Sequence, residues 1–222
     1  MSNRQLGLEL FNQAVAKKRE GKFIEAIKLQ QQSIAACLDD PELPQNYYSM
    51  GKTFYLAGDY YSCLACYEVY NGLCVLKNPP IIEDYKKTLA GDSFAKQMLL
   101  GLFYNLAKNV GHAYRSSEEN NTTRAEVVWY REELMGHNPE TIPSLSGKRD
   151  AYESYEKECA NIGIKIIFMW FDKFLQKPEI AQKETFDLAN TLLHTSYSAG
   201  ANQSNKYDVL AEEKERSAPR KK

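Results

Sequence analysis

The sequence predicts an all-α fold: a series of stacked helical hairpins, a solenoid, closed by a C-terminal capping pair of helices. Three observations carry this. Two segments, LFNQAVAKKREGKFIEAIKLQQQSI from Leu10 and YYSMGKTFYLAGDYYSCLACYEVYNGL from Tyr47, repeat one pattern. They align Gly21 with Gly58, Phe23 with Tyr60 and Ala26 with Cys63, each pair 37 residues apart. Apolar residues on either side of each glycine recur at three- and four-residue steps, the period of one helix face. Gly and Pro fall where helices must stop and start.

The elements follow in order. In the first repeat, about 4–40, Gly21 turns one helix into a second whose stripe is Phe23, Ala26, Ile27 and Ile34. Glycine suits that turn because it takes positive φ at little cost. The loop LDDPELP, 38–44, separates the repeats, with Pro41 and Pro44 ending one helix and opening the next. The second repeat, about 44–78, has Tyr47, Met50, Gly51 and Phe54 before its turn, and Tyr60, Cys63, Leu64, Tyr67 and Tyr70 after it. The stretch from Pro79 predicts a short helix, a stop at Gly91, and a long helix capped near Asp92. A third, irregular repeat spans about 92–138. Val110, Gly111 and Tyr114 match the first helix, and Ala125 and Trp129 the second, across a long turn SSEENNTT. Capping helices occupy 147–199. One carries Tyr152, Tyr155, Cys159, Ile162, Ile166, Met169 and Trp170; the other starts at Pro178 with Ile180, Phe186, Leu188, Leu192 and Leu193. One helical domain, 1–199, is thus followed by a polar tail, 200–222, that has too few apolar groups to order itself.

Composition narrows the function. A net charge of −1 among 222 residues gives no global attraction to nucleic acid. The first ten residues contain no apolar core of a secretory signal. The most apolar run, IGIKIIFMWF, is interrupted by Lys165 and is far shorter than the roughly 20 residues of a membrane span, so no membrane insertion is expected. Five cysteines with no framework spacing suit a reducing, cytoplasmic setting.

Tyr47, Met50, Gly51, Phe54, Gly58, Tyr60, Cys63 and Tyr67 resemble the signature of the tetratricopeptide repeat family, with Pro79 as a late closing proline. The resemblance covers 10–79 and, with the longer turn, 105–139. In the first repeat Ala14 stands for the small residue, but Lys17 occupies an aromatic position. The resemblance implies a non-catalytic protein-binding scaffold with the first helix of each repeat lining a concave groove.

Cys63-Leu64-Ala65-Cys66 is the motif with most chemical promise. A redox pair of this kind needs a strand-to-helix setting, and a zinc site needs a second ligand pair. Neither is visible, and Cys74 lies more than two helical turns on. Cys63 falls where the repeat needs a small side chain, so the structural reading is preferred over a metal or redox protein using Cys63 and Cys66. His112, His137 and His194 have no partner at metal spacing. Hydrolase serine, phosphate-loop and zinc-protease signatures are absent, so no enzyme activity and no cofactor are expected.

Carried over by alignment, the groove comprises Phe11, Asn12, Val15 and Lys18, then Tyr48, Ser49, Lys52 and Tyr55, then Asn105, Lys108, Asn109, His112 and Arg115. The set holds four cations and no acid. The expected partner is a protein or peptide, acidic in character. The family's carboxylate clamp for chaperone tails falls at Phe11, Val15, Ser49, Asn105 and Asn109, where its basic residues are missing. An apolar groove would instead indicate a secretion-type chaperone holding a client segment.

Overall fold

The computed structural model describes residues 3–38, 43–118 and 146–197. Among these there are eight helices and no strand. They are α1 (Asn3–Arg19), α2 (Phe23–Ala36), α3 (Leu43–Ala57), α4 (Tyr60–Lys77), α5 (Pro80–Leu89), α6 (Ser93–Glu118), α7 (Ser146–Gln176) and α8 (Pro178–His194). No helix among the described residues is long and apolar enough to cross a membrane. The second helix expected for the third repeat, with Ala125 and Trp129, lies outside the described residues, as do the tail and His137.

Three helices end in the same turn. Gly21, Gly58 and Gly91 have φ of 74°, 80° and 94°. Each donates its N–H three residues back, and the residue after it donates five back, as in Lys22 N to Lys17 O, Asp59 N to Phe54 O and Asp92 N to Lys87 O. These paired bonds satisfy carbonyls left open at a helix end. The next helix starts at once: Asp59 accepts from Ser62 N at 3.1 Å, and Asp92 from Phe94 N and Ala95 N at 2.9 and 3.1 Å. The turn at Gly91 follows Gly58 by 33 residues. A third glycine turn therefore joins α5 to α6, upstream of the turn expected in SSEENNTT.

The described residues fall into two compact units, one within Met1–Glu83 and Trp170–Lys222, the other within Asp84–Met169. In the first unit, α1 packs on α2 where Gly7 lets Ser33 Oγ reach its carbonyl at 2.7 Å; a Cβ on Gly7 would stand 2.0 Å from Cys37 Sγ. The α3–α4 pair closes at Gly51, whose missing Cβ leaves room for the Tyr67 ring. Ala26, Ile27, Ile34, Tyr47, Met50, Phe54, Cys63, Leu64 and Tyr67 of the expected stripes are buried, while Phe23, Tyr60 and Tyr70 are half-buried at their ends.

Helix α8 packs against α4 and α2. Its buried face is small and differs from the expected apolar set: Ala181, Thr185, Ala189 and Leu192 face inward, while Ile180 and Phe186 are exposed. The small side chains allow close approach, and Thr185 sits where a Cβ on Gly72 would be. Gln31 Nε2 donates to the Leu192 and Thr195 carbonyls at 2.7 and 3.0 Å, fixing the helix end, and Tyr197 closes edge-on against Phe54 at 4.6 Å.

The second unit is built on a very close crossing of α6 and α7. A Cβ on Gly111 would lie 1.8 Å from the Cys159 carbonyl oxygen, and one on Gly163 1.8 Å from that of Ala107. The close neighbour of Gly111 among the described residues is thus the backbone of α7.

Candidate functional site

The residues expected to line one groove divide between the two units. Phe11, Asn12, Val15, Lys18, Tyr48, Ser49, Lys52 and Tyr55 belong to the first. Asn105, Lys108, Asn109, His112 and Arg115 belong to the second.

In the first unit, α1 ends in Lys17, Lys18 and Arg19. The neighbouring acids are already engaged: Glu20 pairs with Lys17 and Lys22, and Glu25 with Lys17. Lys18 is half-buried, and its side chain has no ion pair or hydrogen bond among the described residues. Burial pulls its pKa down, and the nearby charges of Lys52 and Arg19 pull it further. Each cause disfavours a cation, and none is offset by a carboxylate.

The tyrosines of α3 brace this face. Lys52 Nζ stands 4.6 Å over the Tyr48 ring. Tyr48 in turn packs on Tyr67 at 5.6 Å and Tyr70 at 5.1 Å, and Tyr55 on Tyr60 at 5.6 Å. Both are half-buried, so they join the hairpin's aromatic cluster as well as its surface. Phe11 and Val15 are half-buried and Asn12 is exposed. Ser49 accepts from Gln30 Nε2 at 3.2 Å across to α2.

In the second unit the expected cations meet acids from α7. The Glu156 carboxylate takes His112 Nε2 on one oxygen and Lys108 Nζ on the other. Burial alone would raise Glu156, but the two hydrogen bonds outweigh it and hold the carboxyl at about 2. Arg115 pairs with Glu158 at 2.7 Å and stacks over Tyr155 at 4.9 Å. His112 and Tyr155 rings lie 5.5 Å apart. Asn109 is half-buried. An open cleft of about 580 Å³ beside this network is lined by Tyr104, Lys108, Glu153, Glu156, Lys157, Ala160 and Asn161.

Cys159 Sγ lies 3.8 Å from His112 Nδ1, so thiol, imidazole and carboxylate stand in the order used by cysteine nucleophiles. The chemistry does not follow. Cys159 is fully buried, and burial pushes its thiol to about 11. A thiol held protonated and shielded from solvent is a poor nucleophile. The row is an internal lock between α6 and α7.

Cys63 and Cys66 are likewise fully buried in α4, and burial pushes both thiols up. Cys74 is also raised by burial. Among the described residues, no group of three or more His, Cys, Asp or Glu side chains is arranged to hold a metal ion.

No family model, no curated protein and no solved structure matches this chain.

Proposed function

We propose that the chain is a non-catalytic protein-interaction module whose first two hairpins are of the tetratricopeptide type and bind a short acidic peptide or partner helix on the α1–α3 face. The observation that carries this reading is Lys18. A cation kept half-buried beside two other cations, with no carboxylate offsetting it among the described residues, lowers the stability of the free chain. An anionic partner removes that cost on binding. Lys52 and Arg19 strengthen the same field, and Tyr48, Tyr55 and Phe11 offer half-buried contact area beside it. Exposed charge pairs contribute only about 0.2–1 kcal/mol each, so the aromatic area supplies affinity while the cations orient the ligand and speed encounter.

The proposed site lies within the first unit alone; in the second unit Lys108 and Arg115 each hold an acid of their own unit. Five free cysteines suit a reducing, cytoplasmic compartment. The test is an array of short acidic, neutral and basic peptides probed with the wild-type chain and with Lys18→Met/Lys52→Met. Retention of acidic peptides by wild type and their loss by the variant is expected. Equal retention by both proteins would sink the proposal.

A further inference from the structure

Helix α6 is apolar on two faces. One is core: Ala95, Leu99, Phe103, Leu106, Ala107 and Val110 are buried. The other is open: Phe94, Met98 and Leu102 are 71%, 57% and 63% exposed. These three stand four residues apart, which makes them one continuous ridge of the kind that packs into the groove of another helix. The turn at Gly91 places them: Asp92 caps α6 so that Phe94 begins the ridge on the helix's first turn.

The ridge is symmetric about Met98. A two-fold axis through Met98 sets Phe94 of one copy against Leu102 of the other, and Met98 against Met98. Every apolar group then meets an apolar group, as an isologous interface requires. The residues beside the ridge on the same face are Gln97, Gly101 and Asn105, none of them charged. Lys96, the nearest cation along the helix, is on the opposite side by helical spacing. No charge would therefore face its own counterpart across the axis. A second copy satisfies these conditions without any further requirement, whereas a charged partner finds no complementary group along the ridge.

We propose that the Phe94–Met98–Leu102 ridge is a self-association surface through which two copies pair, α6 antiparallel to α6. The ridge exposes roughly 300–400 Å² per copy, within the range of the largest apolar patch on a monomer. Two such ridges and their rims reach the low end of protein interfaces, below about 1,200 Å² in total. The dimer is accordingly weak and concentration-dependent.

Sedimentation velocity of the full chain from about 5 to 500 µM tests this, spanning the affinities open to small interfaces. The wild type is expected to shift from monomer towards dimer, and Met98→Asp to remain monomeric with an unchanged circular-dichroism spectrum. Met98→Cys adds position: under mild oxidant it should form a disulfide-linked dimer, while Lys96→Cys should not. Three results would overturn the proposal. One is a dimer that survives Met98→Asp. Another is a Met98→Cys protein that stays monomeric and whose introduced thiol is rapidly alkylated, which means the ridge serves a different protein. The last is a Met98→Cys monomer whose introduced thiol is protected, which means the chain covers the ridge itself.

Discussion

Replacing Gly111 by alanine probes the α6–α7 crossing most sharply. The new Cβ would sit 1.8 Å from the Cys159 carbonyl oxygen, where a Cβ contact needs at least 3.0 Å. The helices must therefore part by about 1.2 Å locally, and the obstacle is backbone, which cannot rotate away. Overpacking of this kind costs about 1–3 kcal/mol, and a rigid obstacle places it at the upper end. Against this, alanine in a helix interior is favoured over glycine by about 1 kcal/mol. The net loss is about 2 kcal/mol, and Gly163→Ala should cost as much, because its Cβ would meet the Ala107 oxygen at the same distance. The two changes widen one crossing, so the double variant should lose less than their sum. Gly101→Ala supplies the internal control. It lies on the same helix with nothing within 4 Å of its Cβ position, so the same substitution should stabilise by about 0.5–1 kcal/mol. Urea unfolding at dilute protein concentration, followed by circular dichroism, measures all four. If Gly111→Ala and Gly101→Ala shift the midpoint in the same direction, the close crossing is wrong.

Glu156→Gln tests the buried carboxylate. Because Glu156 is held at about 2 against an ordinary 4.5, its contribution is present above about 4.5 and fades as pH falls towards 2. The variant should be less stable by up to about 3 kcal/mol at neutral pH and approach the wild type near pH 2; a gap that does not close on acidification would contradict the ion-pair account. Cys63→Ala should fold with a loss of about 1 kcal/mol, whereas Cys63→Leu should cost about 1–3 kcal/mol, since the site is fully buried. Stoichiometric zinc in the purified protein, lost on either substitution, would reverse the structural reading of Cys63 and Cys66.

The first two hairpins were legible because their signals are local. Gly21 and Gly58 each sit between two helical stripes, and Ala14, Gly51 and Cys63 mark small positions that the folded chain does bury. The turn at Gly91 was equally local, 33 residues after Gly58 and again followed by a polar residue, but Gly111 drew the third repeat downstream. The buried face of α8 was hidden for another reason. Large apolar residues suggested it, yet a helix that must approach Gly72 closely uses Ala181, Thr185 and Ala189 instead. The ion pairs of Lys108, His112 and Arg115 were out of reach of any spacing argument. Their partners, Glu156 and Glu158, are more than 40 residues away on α7, so α6 alone reads as an open cationic face. Lys18 and Lys52 were legible as cations; the half-burial of Lys18, which gives the charge its meaning, was not.

The central claim, that the α1–α3 face receives an acidic segment, is tested most directly by titrating isotope-labelled protein with a short glutamate-rich peptide carrying one aromatic residue and following backbone amide shifts. A contiguous set of perturbed amides is expected on α1 around Lys18 and on α3 around Tyr48 and Lys52, with the affinity falling as salt rises. Lys18→Met should abolish the perturbation on α1 and, by removing a half-buried cation that sits beside Lys52 and Arg19, raise the thermal stability of the free protein. Shifts confined to α6 and α7, or a Lys18→Met protein that binds as well as wild type, would contradict it.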